Sequence, residues 1–195
     1  MHIQAPIRKI VLVELILPIV LLILGIYHGL LQTLYRAGYI HAASLLGLNY
    51  YQGLTAHGVI NAVVLTTFFA VAYGHVIISS SLRTPLHIGF ATSGFALLLL
   101  GTLMVAGTIL AGQASVLYTF YPPLKAHPIF YLGLALFVVG SWLSYYSWIP
   151  AYLTWRKENP ATKVPLNVVG IFSTFIVWQI ATVPVAVEVS QFAIR

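Results

Sequence analysis

The sequence predicts an all-α polytopic membrane protein, a helical bundle of about five transmembrane helices. Three observations carry this. Hydrophobic residues fill 60% of the 195 positions and charged residues 6%, with a mean hydropathy of +0.95. No soluble domain of this length hides so much apolar surface, so lipid must be the solvent for most of it. The apolar residues fall into runs that reach the roughly 20 residues a helix needs to cross the hydrocarbon core. Those runs also lack the alternation of a membrane-barrel strand.

Taken in order, the first run is about Ile10–Leu34. Arg8 and Lys9 precede it as in a signal peptide, but it is too long for one and no small-residue cleavage site follows, so it is expected to stay. The second run is about Thr55–Ser79 and the third about Leu86–Ala111, joined by Ser80-Ser81-Leu82-Arg83-Thr84-Pro85. A turn at Tyr121-Pro122-Pro123 precedes the fourth, about Pro128–Tyr152. The stretch from Trp155 to Pro165 leads to the fifth, about Leu166–Val189. Residues 1–195 read as a single transmembrane domain, with no soluble domain, low-complexity tract or solenoid repeat.

Loop charge orients the bundle. With the N-terminus cytoplasmic, the inner side holds Arg8, Lys9, Arg83, Arg156, Lys157 and Lys163, against Arg36, Lys125 and Arg195 outside, which satisfies the positive-inside rule. The formal charge of +6 therefore reads as topology, and no nucleic-acid partner is expected. Tyr50, Tyr51, Tyr118 and Tyr121 would mark the outer interface and Trp155 the inner one.

Composition also removes whole chemistries. The absence of cysteine excludes disulfides, thiolate metal sites and cysteine nucleophiles. Glu14, Glu158 and Glu188 are the only acids, too few for a paired acid/base site or a calcium or magnesium cage. Metal chemistry would have to rest on the seven histidines. His57 and His75 lie about 27 Å apart along one helix at 1.5 Å per residue, so they cannot share a metal. His2, His75 and His87 read as solvated tail or interfacial groups, His41 as a wet loop residue, and His127 as the cap of the fourth span. His28 lies in the first span at a depth comparable to His57.

His57 is the most informative residue. It sits near the outer end of the second span with no charged neighbour, and Ala56 and Gly58 leave room beside it for a large flat group. An ionisable side chain at membrane depth is a functional hypothesis by default. The residues alone leave two readings open, a haem ligand or an imidazole bonded to a neighbouring helix's carbonyl or hydroxyl. Other polar groups have plainer readings. Glu14 is expected to pair with Lys9 at the interface, and Glu188 to make an interfacial or subunit contact or to handle protons. Asn61 and Thr66-Thr67 are expected to bond between helices, and Gly107 and Gly112, with Ala106 and Ala111, to allow close helix packing.

Two motifs carry a family resemblance. Tyr50-Tyr51-Gln52-Gly53-Leu54-Thr55-Ala56-His57-Gly58-Val59-Ile60-Asn61 resembles the second helix of haem–copper oxygen reductase (cytochrome c oxidase) subunit I, in particular its B-type branch. Tyr118-Thr119-Phe120-Tyr121-Pro122-Pro123-Leu124-Lys125, followed by His127 and Phe130-Tyr131-Leu132-Gly133, is similar to the outer loop between the third and fourth helices of that subunit. The resemblance runs from the first helix to the fifth.

The resemblance implies that His57 is one axial ligand of the low-spin haem, b-type by expectation. It places the loop of Tyr118 and Tyr121 over the haem edge, near the propionates or the dioxygen route. Lys125 and Arg36, as cations on the outer side, could neutralise the propionates. In the family, the second axial histidine, the high-spin haem ligand and the copper ligands come from later helices, and the expected His-Pro-x-x-Tyr run is missing here. The chain is then the N-terminal part, or one piece of a split subunit, of a terminal oxidase that reduces dioxygen to water and moves protons across a prokaryotic inner membrane. Its partners would be the remaining helices of subunit I, a copper-bearing subunit II, and cytochrome c or another outer-side donor. The loop from Ser79 to Pro85 lacks the carboxylate that A-type relatives carry there, as in the B-type pattern. Rival readings are a nitric oxide reductase-like subunit, a self-contained bis-histidine cytochrome b using His28 and His57, and a haem-free structural subunit.

Overall fold

The computed structural model describes residues 3–41, 47–117, 120 and 124–194, with backbone alone at 189, 190 and 192–194. Its elements are α1 (Ala5–Arg36), α2 (Tyr50–Gly58), a π-helical stretch (Val59–Leu65), α3 (Thr66–Leu82), α4 (Ile88–Leu110), α5 (Pro128–Tyr146), α6 (Trp148–Glu158) and α7 (Leu166–Ile194). Two pairs of helices merge into longer spans, so five helices are long and apolar enough to cross a membrane. Among the described residues no strand forms; Ala114 and Ala126 make an isolated bridge. The near end of the bundle is taken below as the one where α1 begins, and the far end as the opposite one.

Local chemistry explains each break. Asn49 and Gln52 form a capping box that starts α2, satisfying donors the first turn leaves free. Within the same span, the seven-residue π stretch Val59–Leu65 begins two residues after His57. Its extra residue per turn rotates every following side chain relative to a plain α-helix, and such stretches recur at functional sites. Pro150 lacks an N–H, and its ring would meet the carbonyl four residues back, at Tyr146. There α5 ends and, after Ser147, α6 begins. At the same break the Ser147 carbonyl accepts from the His87 N–H at 3.1 Å.

This bond helps to stitch the near end. Gln4 Oε1 accepts from the Leu86 N–H at 2.9 Å, and Thr84 donates its hydroxyl to the Ala151 carbonyl at 3.1 Å. Arg83 closes α3 in the left-handed region at φ 54°. Trp155, expected at the interface, is buried and stacks with Tyr152.

Glycine governs the α4–α5 contact. A Cβ on Gly101 would stand 2.5 Å from the Gly133 carbonyl oxygen and 2.7 Å from the Phe137 nitrogen. One on Gly140 would stand 2.6 Å from the Leu98 nitrogen. The two backbones therefore touch, the close approach small residues permit in lipid. The glycines expected to do this behave otherwise: Gly107 faces open space, and Gly112 takes φ +71° in the turn after α4. Aromatic packing secures α7, where Trp178 and Trp142 donate to Ser141 (2.9 Å) and Thr182 (3.0 Å).

Candidate functional site

His57 occupies the last turn of α2, and its ring lies against α1. Nδ1 is 2.8 Å from the Gly25 carbonyl oxygen. A Cβ added at Gly29 would stand 2.6 Å from the ring's Cε1 and Nδ1. Gly29 leaves the imidazole room to rest on the α1 backbone, and Gly25, one turn earlier, leaves room for the Asn61 side chain beside it. Donation to Gly25 requires the hydrogen on Nδ1, which leaves the neutral ring's lone pair on Nε2. The Asn61 amide lies 3.0 Å from the same Nδ1. A nitrogen that is donating cannot also accept, so Asn61 must present its oxygen, the flipped assignment of its amide.

Among the described residues Nε2 has no hydrogen-bond partner, and the ring is half-buried. A neutral imidazole with one nitrogen tied to a carbonyl and the other free is how metal-bound histidines are held. The residues fit one axial position of a haem iron. They do not form a closed metal site, since no three His, Cys, Asp or Glu side chains converge among the described residues.

The space beside His57 does not come from its sequence neighbours. Ala56 and Gly58 are buried, and Ala56 lines a separate cavity. Residues one apart on a helix point to different faces, so only positions three or four away share a face with His57. The room the imidazole occupies comes from Gly29 on α1, and that of its neighbour Asn61 from Gly25, a small-xxx-small spacing visible in the sequence. Asn61 and Thr66 make their bonds within their own span, to His57 and to the Ala62 carbonyl.

His28 lies on the same stripe of α1, fully buried, with both ring nitrogens free of hydrogen-bond partners among the described residues. Its ring lines an apolar cavity of about 80 Å³ with Ala56, Ile60, Thr102 and Val105. Gln32, one turn on, is also buried without partners for its amide atoms.

The loop after α4 folds over the start of α2. The Gln52 amide donates to the Gly112 carbonyl, and the Leu117 N–H donates to Thr55 Oγ1 at 2.9 Å, two residues before His57. Ser115 and His127 N–H groups bond across the loop to Lys125 and Gln113 carbonyls at 3.2 and 2.8 Å. This places both motifs at the far end. Tyr118 and Tyr121 lie outside the described residues. Lys125 is exposed, and Arg36 sits 5.8 Å above the Tyr50 ring, so both cations belong to the far end, with neither drawn into a contact with His57. His127 does cap α5, accepting from the Ile129 N–H at 3.3 Å.

Two readings fail outright. His75 is not interfacial, and Glu14 does not pair with Lys9. Both are fully buried, and His75 Nδ1 lies 3.2 Å from Glu14 Oε2. Helical geometry put Glu14 on the buried face of α1 with Ile7, Ile10 and Val11, while Lys9 points outward. Glu188, near the far end of α7, is exposed.

Comparison with known proteins agrees with this geometry. Residues 9–194 match the family described as cytochrome c and quinol oxidase polypeptide I. The cytochrome c oxidase subunit 1 of Thermus thermophilus is 35% identical over 193 residues, covering 96% of this chain and 34% of that protein. A chain of a haem–copper terminal oxidase dimer solved by cryo-EM superposes with a TM-score of 0.91 at 48% identity, over 96% of this chain and 32% of that one. The chain thus spans about a third of the length of these relatives. A match across nearly all of its residues, with five membrane-crossing helices in the same arrangement, places this chain in the cytochrome c and quinol oxidase polypeptide I family.

Proposed function

We propose that the chain is the N-terminal portion of subunit I of a B-type cytochrome c oxidase, and that His57 is one axial ligand of its low-spin haem through Nε2. The observation that carries this is the state of the His57 ring: Nδ1 is committed to the Gly25 carbonyl, while Nε2 has no partner among the described residues. A haem bound there would supply one-electron transfer at its iron, and the chain's part is to position it and tune its potential. Gly25 holds the ring's tautomer, Asn61 steadies its edge, and the Gly112–Lys125 loop covers the same end of the bundle. Lys125 and Arg36 supply far-end positive charge suited to propionates.

In this reading the assembled enzyme reduces dioxygen to water with proton movement across a prokaryotic inner membrane, the N-terminus facing the cytoplasm. The second axial histidine, the high-spin haem and the copper belong to the remaining two thirds of the subunit, with a copper-bearing subunit II and an outer-side donor such as cytochrome c as partners. The carboxylate-free loop from Ser79 to Pro85 supports the B-type assignment.

Optical and electron paramagnetic resonance spectra of the assembled His57→Ala protein test the reading. The expected result is loss of the six-coordinate low-spin signal with the high-spin signal retained; an unchanged low-spin signal overturns it. The buried, partner-free His28 favours one rival, a bis-histidine site within this chain. That rival requires the isolated chain to bind low-spin haem and to lose it in His28→Ala.

A further inference from the structure

We propose that Glu14 and His75 form a proton-binding site in the near half of the bundle, separate from the haem-ligand candidate at the far end. A carboxylate and an imidazole stand in contact between α1 and α3, both fully buried. Among the described residues each keeps a polar atom without a hydrogen-bond partner, Glu14 Oε1 and His75 Nε2. A third unused group, the Trp148 indole N–H, belongs to the ring that meets His75 edge-on at 5.8 Å between centroids. Trp148 itself rests on Gly74, the residue before His75, where any side chain would collide with it. One turn beyond Glu14, Pro18 removes the N–H that would bond the Glu14 carbonyl. Unused donors and acceptors so close together are rare in buried positions.

Among the described residues the surroundings contribute no other charge. Arg8 and Lys9 on α1 are exposed. On α3 the remaining polar neighbour is the buried Ser79, one turn from His75 toward the near end. Tyr145, at the end of α5, meets Trp148 edge-on at 5.6 Å between centroids, and α7 presents Phe172 and Phe175 to the same indole. In such a setting any state with net charge carries the full desolvation cost, whereas a pair sharing one proton is neutral overall. The shared proton sits on Nδ1 facing Oε2, as an imidazolium–carboxylate pair, or on Oε2 facing Nδ1. Its release to water leaves a carboxylate and a neutral imidazole; uptake of a second proton leaves a carboxylic acid and an imidazolium. These steps belong to the pair and not to either residue.

A pocket of about 500 Å³ bounded by Ile3, Gln4, Arg83, Thr84 and Pro85 lies at the near end. Buried Ile7, Val11 and Ile78 lie on the near side of the pair, between it and that pocket.

Infrared difference spectra of the purified membrane assembly, recorded across a pH titration, test the site. The expected result is a carboxyl signal that changes with pH, disappears in Glu14→Gln, and shifts its midpoint in His75→Gln. A Glu14 signal constant across the titration, or a midpoint indifferent to His75→Gln, overturns the proposal and leaves a fixed ion pair. Should His75→Gln fail to assemble, titration of wild-type protein carrying carboxyl-labelled glutamate, with Glu14→Gln as the reference, decides the first point alone.

Discussion

At the scale of the residue, His57 shows that two readings the sequence leaves in competition do not exclude one another. Nδ1 meets the Gly25 carbonyl, and the proposed haem ligation would use Nε2. Bonding to a neighbouring carbonyl and binding a metal use different nitrogens, and the first prepares the second by fixing the tautomer. Gly29 is the residue on which this rests. Alanine there would bring a methyl carbon to 2.6 Å from the imidazole, inside any real contact distance, so the ring must move off the Gly25 carbonyl. Gly29→Ala is expected to weaken or shift the low-spin haem spectrum of the assembled protein while helix content by circular dichroism stays unchanged. Gly107→Ala, with nothing within 4 Å of its Cβ, is the matched control and is expected to leave both unaltered. Glu14 and His75 carry the opposite lesson. Their types and positions suggested water-facing groups, yet a helix face, set by 100° per residue, decided their burial.

At the scale of the element, helix breaks and helix contacts obey different degrees of legibility. Capping by Asn49 and Gln52 is written in neighbouring residues, as is the break that Pro150 imposes at Tyr146. The π stretch has no comparable signature in its apolar, β-branched run Val59-Ile60-Asn61-Ala62-Val63-Val64-Leu65. The α4–α5 contact is a further case. Gly94, Gly101, Gly133 and Gly140 stand seven apart on each helix, so each pair presents one face toward the other. A methyl group at Gly101 meets backbone rather than a movable side chain, which leaves helix separation as the only relief. Gly101→Ala is expected to destabilise the bundle by about 1–3 kcal/mol, the usual cost of overpacking. A lowered midpoint of thermal or denaturant unfolding in detergent would show it.

At the scale of the whole molecule, the exposed apolar faces follow from lipid being the solvent. Within an 18-residue apolar stretch of each span, half of the residues are buried in α2–α3 but only 17% in α7. Ile23 on α1 and Ile180 on α7 remain about two-thirds exposed, at 68% and 69%. These faces suit acyl chains or further helices equally, since both are apolar. Orientation is open to direct measurement because the chain has no cysteine. With the N-terminus in the cytoplasm, a cysteine at His41 is expected to react with an impermeant maleimide in intact cells. One at Lys163 is expected to react only after lysis; the reverse pattern inverts the assignment. The sequence by itself determined the solvent, the five membrane-crossing helices and the histidine at issue, because run length, composition and motif are local properties. Only the tertiary structure decided which groups meet. It set His57 on Gly25 and Gly29, joined Glu14 to His75 across 61 positions of sequence, and locked α4 to α5 through glycine. Such pairings depend on helix phase and on which helices are neighbours, and no single segment encodes either.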